Sequence, residues 1–191
     1  MGFLFGKPKI KGDERRQCLD YLEEELKIAA FDQKERKAFE NAMAECAAKS
    51  NAYQITSQEF QKEISQAINR LAQAARETIR RRDKMTAVPN AAFSTYSAWS
   101  GMYSAYSAWA TEQAAQEAKD AKVLIPNVSR GEMKGIRDLF QEYEKYKTKA
   151  AKEHHRLLKR LGLSDKERQE LLSKAASIEA ESWQPKKSEE T

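Results

Sequence analysis

What most constrains this chain is a stretch without charge. Met85 to Thr111 is a run of 27 residues lacking any charged side chain, in a sequence that is 33% charged. Within it, residues 91–110 read AAFSTYSAWSGMYSAYSAWA. Phe93, Tyr96, Trp99, Tyr103, Tyr106 and Trp109 follow one another at steps of 3, 3, 4, 3 and 3. At about 100° per residue, that spacing sets them with Met102 on one broad side of a helix. The other side carries Ser94, Ser97, Ser100, Gly101, Ser104, Ala105, Ser107 and Ala108. Neither side offers charge to water, so the spacing predicts a helix with neighbours on both.

Three readings compete for that helix. The aromatic side is the core of the chain's own bundle, or a surface for a second copy, or an element lying at a membrane interface. Self-association would use Tyr96, Trp99, Gly101, Tyr103, Ser104, Tyr106, Ala108 and Trp109, with the small residues letting a second backbone come close. An interfacial helix would present Lys or Arg to water, and this one presents neither. The stretch is long enough to cross a bilayer but contains no Leu, Ile or Val, and its serines count against burial in lipid.

The remaining chain predicts helices and no strand. Leu19, Leu22, Leu26 and Ala29 form an apolar stripe from Asp13 onward, with Glu23, Glu24 and Glu25 expected largely away from it. Asp32 and Glu35 either cap a new helix after Phe31 or lie as surface charges on a continuous one. The stripe resumes at Phe39, Met43 and Cys46. Thr56 and Glu59 form a capping box with Ile55 and Phe60 as staple, opening a helix through Ile64, Ile68, Leu71, Ala75 and Ile79. Its cationic close, Arg80-Arg81-Arg82-Asp83-Lys84, suits a helix C-terminus. Val88-Pro89-Asn90 and Ile125-Pro126-Asn127 break the chain on either side of the aromatic helix. Ser129 and Glu132 make a second capping box, with Val128 and Met133 as staple. A seam follows at Ile136, Leu139/Phe140, Tyr143, Lys147, Ala150, His154, Leu157 and Leu161. Gly162 is placed to end that helix, and Ser164 with Glu167 starts a last one through Leu171, Leu172, Ala175 and Ile178.

The expected architecture is therefore all-α: an elongated antiparallel bundle of five to six helices. Residues 13–183 form a single helical domain, with the aromatic helix at 91–122. Residues 1–12 make a flexible apolar and basic tip, and 184–191 a disordered polar tail. A length of 191 residues suffices to bury a core.

The formal net charge is +5, spread evenly along the chain. It permits an anionic partner without demanding one. Cys18 and Cys46, expected on separate helices, form no disulfide framework or metal motif and fit small buried residues in a reducing compartment. His154 and His155 are the only histidines. Being adjacent, they cannot share a helix face, and neither completes a Glu-x-x-His metal pattern. No HExxH, phosphate-cradling glycine loop or nucleophile elbow occurs. His154 fits a satisfied interhelical position. No catalytic residue, cofactor or metal is expected. Arg80, Arg81, Arg82 and Lys84 are candidates for phosphate contacts, weighed against a solvated helix end.

At the N-terminus, Phe3-Leu4-Phe5 precedes Lys7, Lys9 and Lys11. An apolar wedge beside a basic cluster is the two-signal arrangement of reversible membrane binding, and it equally suits a cap on the open end of a bundle. No secretory signal is visible, because the apolar block precedes the lysines and is too short. The opening MGFLFGKPK resembles the start of ESCRT-III family proteins, which are all-helical and polymerise on membranes. The resemblance implies that Phe3, Leu4 and Phe5 touch the membrane. It covers residues 1–9, and the family's basic first half and acidic second half are not matched.

These observations lead to an expectation of a non-enzymatic helical scaffold. It associates with itself through the Ser/Ala/aromatic helix, lies in the cytoplasm, and touches membrane lipid through its tip. The alternative is a nucleic-acid-associated or virion structural protein, motivated by the arginine run and the positive charge.

Overall fold

The computed structural model describes the backbone of residues 9–85, 87–122 and 130–182, and their side chains except at 119–122, 130–134, 136 and 175–182. Five α-helices and one 3₁₀ turn account for nearly all of it: α1 (Gly12–Asn51), α2 (Ser57–Asp83), the turn Asn90–Ala92, α3 (Phe93–Lys122), α4 (Arg130–Leu161) and α5 (Asp165–Ser182). Among the described residues there is no strand. The fold is an all-helical bundle.

Helix ends follow local chemistry. The Thr56 hydroxyl accepts from the Glu59 amide while the Glu59 carboxylate accepts from the Thr56 amide at 2.8 Å, closing a reciprocal capping box. Ser164 and Glu167 repeat it at the start of α5. Gly162, at φ +59°, takes the left-handed turn that stops α4. The Ser129–Glu132 box, the breaker at 125–127, the phenylalanine tip and the polar tail lie outside the described residues or side chains.

Helix α1 departs from expectation. It runs 40 residues without a break, about 60 Å at 1.5 Å per residue. Cys18 and Cys46 therefore share one helix, both buried. Asp32 and Glu35 neither cap a new helix nor lie on the surface: both are buried in the interior, as is Glu25.

Contacts between helices fix an antiparallel arrangement. Moving back along α1 from Lys49 to Cys46, Glu35 and Glu25 meets α2 at Glu63, Phe60, Arg70 and Arg82, in broadly rising order. Helix α3 is met in the same sense by α4, where Trp99 faces His154, Tyr106 faces Tyr143 and Trp109 faces Phe140. Helix α5 reverses direction after Gly162 and so runs parallel to the first half of α1, tied by Arg15–Glu167 at 2.8 Å and Lys174–Glu23 at 2.7 Å.

Two clusters form the core. One is central, built from Ile28, Leu71, Trp99, Tyr103, Tyr106 and Tyr143 against alanines of α2, α3 and α4. The other closes one end with Ile10, Cys18, Leu22, Leu157, Leu161 and Leu163. Ile10 is held there by its amide, which donates to the Arg160 carbonyl at 3.1 Å.

Candidate functional site

Helix α3 has neighbours on most of its circumference, and the neighbours belong to the same chain. Trp99, Tyr103 and Tyr106 are buried, while Tyr96 and Trp109 are partly so. Trp99 stacks on His154 with ring centres 5.2 Å apart, and Tyr106 packs against Tyr143 at 5.7 Å. As candidates for contact with a second copy, Trp99, Tyr103 and Tyr106 are corrected: their rings are spent on α1, α2 and α4 of their own chain. Gly101 faces inward too. A Cβ there would lie 2.6 Å from the Tyr146 ring, so glycine admits this side chain of α4.

The outer side of α3 is different. Phe93, Ser97, Ser104, Ala108, Thr111, Ala115 and Ala118 are all exposed, and at about 100° per residue they fall within one narrow arc. Phe93 is 62% exposed. Of the predicted self-association residues, Ser104 and Ala108 lie on this uncharged stripe.

Behind the aromatic side lies a polar interior. Glu25 is fully buried; Tyr21 donates to it at 2.8 Å, and Arg82 pairs with it through Nη1. The other terminal nitrogen of Arg82 donates to the Tyr96 carbonyl at 2.9 Å and to Ser100 Oγ at 3.1 Å. The same guanidinium lies over the Tyr96 and Tyr103 rings, an arrangement that suits a weakly hydrated planar cation. About two turns further along α1, Asp32 pairs with Arg36 at 2.8 Å. Arg36 donates to the Tyr143 hydroxyl and sits 4.2 Å above the Tyr106 ring. Glu35 binds Arg70 through both carboxylate oxygens.

Burial pushes the Glu25 carboxyl up to about 7 despite the opposing pull of Arg82 and Tyr21. It likewise raises Asp32 to about 6, against Arg36. Desolvation drives the Tyr21, Tyr103 and Tyr106 hydroxyls upward as well. His154 is pushed down, by burial first and by His155 second, which keeps the imidazole neutral. Its Nδ1 has no hydrogen-bond partner, so stacking on Trp99 rather than hydrogen bonding accounts for its place.

A carboxyl shifted toward neutrality beside a cleft is a candidate acid or base. Beside this one is an open groove of about 780 Å³ bordered by Asp20, Tyr21, Lys27, Arg81, Lys84 and Met85, among others. Glu25 does not border it. The Tyr21 side chain, which does, holds its hydroxyl against Glu25. The network is thus turned inward and ties α1, α2, α3 and α4 together.

The arginine run divides by helix phase. Arg82 is 2% exposed and committed to Glu25, which corrects its assignment as a phosphate contact. Arg81 lies 3.9 Å over the Phe31 ring and pairs with Glu77. Arg80 pairs with Glu77 at an exposed position, and Lys84 is exposed at the groove. Lys9 and Lys11 are exposed at the end of α4, while Phe3, Leu4, Phe5 and Lys7 lie outside the described residues. Lys147, placed on the seam by its spacing, is exposed and pairs with Glu144.

Sequence reasoning missed Glu25, Asp32 and Arg36, although the signal was present. Cys18, Leu22, Glu25, Ala29, Asp32, Arg36, Phe39, Met43 and Cys46 alternate at steps of 4 and 3, a continuous seam of buried and half-buried residues with three charged members. Among the described residues, no helix is long and apolar enough to cross a membrane and no cluster of metal-ligating side chains occurs. No protein-family model matches the chain, nor does any curated protein or solved structure.

Proposed function

We propose that the chain is a non-enzymatic helical scaffold that associates with a second copy of itself through the outer face of α3, and that its N-terminal tip places it at the periphery of a membrane. The observation that carries the first half is the exposed uncharged stripe from Phe93 to Ala118. Small side chains let a second helix approach closely, and the stripe itself carries no ion to be stripped of water, with exposed Glu112 standing at its edge. Its one large member, Phe93, supplies an apolar anchor at one end. The association surface thus moves from the aromatic side of the helix to its small-residue side. The membrane half rests on the sequence Phe3-Leu4-Phe5 followed by Lys7, Lys9 and Lys11.

Light scattering coupled to size exclusion tests the association. The wild type is expected to run as a dimer or larger species at high concentration, and Ala108→Glu as a monomer with an unchanged helical spectrum. A wild type that stays monomeric at the highest soluble concentration would remove the proposal.

A further inference from the structure

The outer face of α4 holds a charge feature that averages over half-chains conceal. Residues 145–160 contain seven basic residues and one acidic residue. Five of the six exposed ones share a side: Lys145, Lys149, Lys152, Arg156 and Lys159 are spaced at 4, 3, 4 and 3, while Lys147 lies off that line and pairs with Glu144. The five form a single ridge, about 21 Å long at 1.5 Å per residue. The ridge lies on the side away from Tyr143, Ala150, Leu157 and Leu161, which pack into the bundle. Arg156 is paired with Glu153. Among the described residues, Lys145, Lys149, Lys152 and Lys159 have no carboxylate within ion-pair distance. Like charges at such spacing repel along a helix, so the fold gains nothing from the ridge by itself.

The ridge ends where the N-terminal segment enters. Ile10 is buried against Leu157 and Leu161, and its amide bonds to the Arg160 carbonyl, which places exposed Lys9 and Lys11 beside the last turn of α4. Cations from two separate parts of the sequence thus gather at the C-terminal end of α4. The geometry points to this surface, Lys145 to Lys159 continued by Lys9 and Lys11, as a docking face for an anionic lipid bilayer. A row of exposed lysines along one helix meets a flat anionic plane and draws on the surface potential there. Nucleic acid fits less well: the five ridge residues include no aromatic ring for base stacking and no Asn or Gln to read a base edge, and exposed His155 stands at the flank of the ridge rather than in line with it. The proposal stands apart from self-association through α3 and extends the membrane reading from the tip to a folded face.

Flotation of the full chain tests it, with vesicles of phosphatidylcholine alone and of phosphatidylcholine mixed with phosphatidylserine. The wild type is expected to float only with the anionic vesicles, and less so as salt rises. Lys149→Gln/Lys152→Gln/Lys159→Gln should lower the partition coefficient about a hundredfold, roughly fivefold per lysine, with an unchanged melting temperature. Phe3→Ser/Phe5→Ser separates the two membrane claims, since it should keep the salt-sensitive part of binding that the triple variant loses. A triple variant that floats like the wild type would overturn the ridge, and so would a wild type that ignores anionic vesicles. Tighter binding to a DNA or RNA duplex than to the vesicles, lost in the same variant, would reassign the face to nucleic acid.

Discussion

The two halves of the core solve the same packing problem with different chemistry. At the closed end, Ile10, Cys18, Leu22, Leu157, Leu161 and Leu163 meet as apolar volumes. In the middle, tyrosine and tryptophan rings pack on alanines and surround Glu25–Arg82 and Asp32–Arg36. Aliphatic volumes accept many neighbours of the right size. A buried carboxylate and a planar guanidinium accept few, because each remaining lone pair and N–H needs its own partner. The leucine end therefore seals the bundle, while the middle fixes how far each helix may slide. A shift of α2 by one turn would leave the leucine end, built without α2, as it is, but it would strand Arg82 away from Glu25, the Tyr96 carbonyl and Ser100 together.

The largest expected effect comes from separating those partners. Arg82→Met leaves Glu25 buried without its cation and should cost about 3–5 kcal/mol in urea unfolding. Glu25→Leu/Arg82→Met removes both charges and should recover more than half of that loss. A double variant as damaged as Arg82→Met alone would show that the pair does not fix the middle of the bundle. It would also erase the contrast with the leucine end.

How much of this was legible follows from the reach of each interaction. The capping boxes at Thr56–Glu59 and Ser164–Glu167 join residues within one turn, so the sequence displays both partners. The stop of α4 was readable for the same reason, since Gly162 takes the left-handed turn within its own residue. Glu25 is another case. Its partner lies 57 residues away, and the adjacent triplet Glu23-Glu24-Glu25 looks like one solvated run. Only the 4-and-3 spacing from Cys18 to Cys46 distinguishes the buried member. Arg82 was grouped with Arg80 and Arg81 for the same reason: neighbours in sequence point to different sides of a helix. The side of α3 that meets solvent could not be chosen from sequence, since neither face is charged.

Titration gives a smaller effect with a definite sign. Glu25, raised to about 7, and Asp32, raised to about 6, hold protons in the folded state that the unfolded chain has released. Between about pH 4 and pH 7 the unfolded state binds fewer protons, so stability falls as pH rises through that window. Glu167, held down at about 2 by Arg15 and the Ser164 cap, acts the opposite way and loses its contribution as pH drops below about 4.5. The two trends oppose each other below about pH 4.5, and above it the core carboxyls dominate. Unfolding free energy should decline by on the order of 2 kcal/mol from about pH 6 to pH 8, and Glu25→Gln should remove most of that decline. A Glu25→Gln profile parallel to the wild type would mean that the central carboxyl is ionised throughout and that the two core regions respond to pH alike.

The smallest effect probes how tightly the middle is packed. Gly101 lies inside α3, where alanine would ordinarily favour the helix by about 1 kcal/mol. Here the added Cβ would stand 2.6 and 2.7 Å from Cδ1 and Cε1 of Tyr146 and 3.4 Å from its Cγ. The clash reaches toward the root of the ring, so α4 must shift or the ring must leave its rotamer, at a cost of about 1–3 kcal/mol. Gly101→Ala is expected to destabilise by about 1 kcal/mol net in urea unfolding, the overpacking cost exceeding the helix gain. In a Tyr146→Ala background the obstacle is gone, and the same substitution should stabilise by about 1 kcal/mol. If Gly101→Ala stabilises the wild type outright, the tyrosine has room to swing. The aromatic middle would then be as accommodating as the leucine end, and register would rest on the buried ion pairs alone.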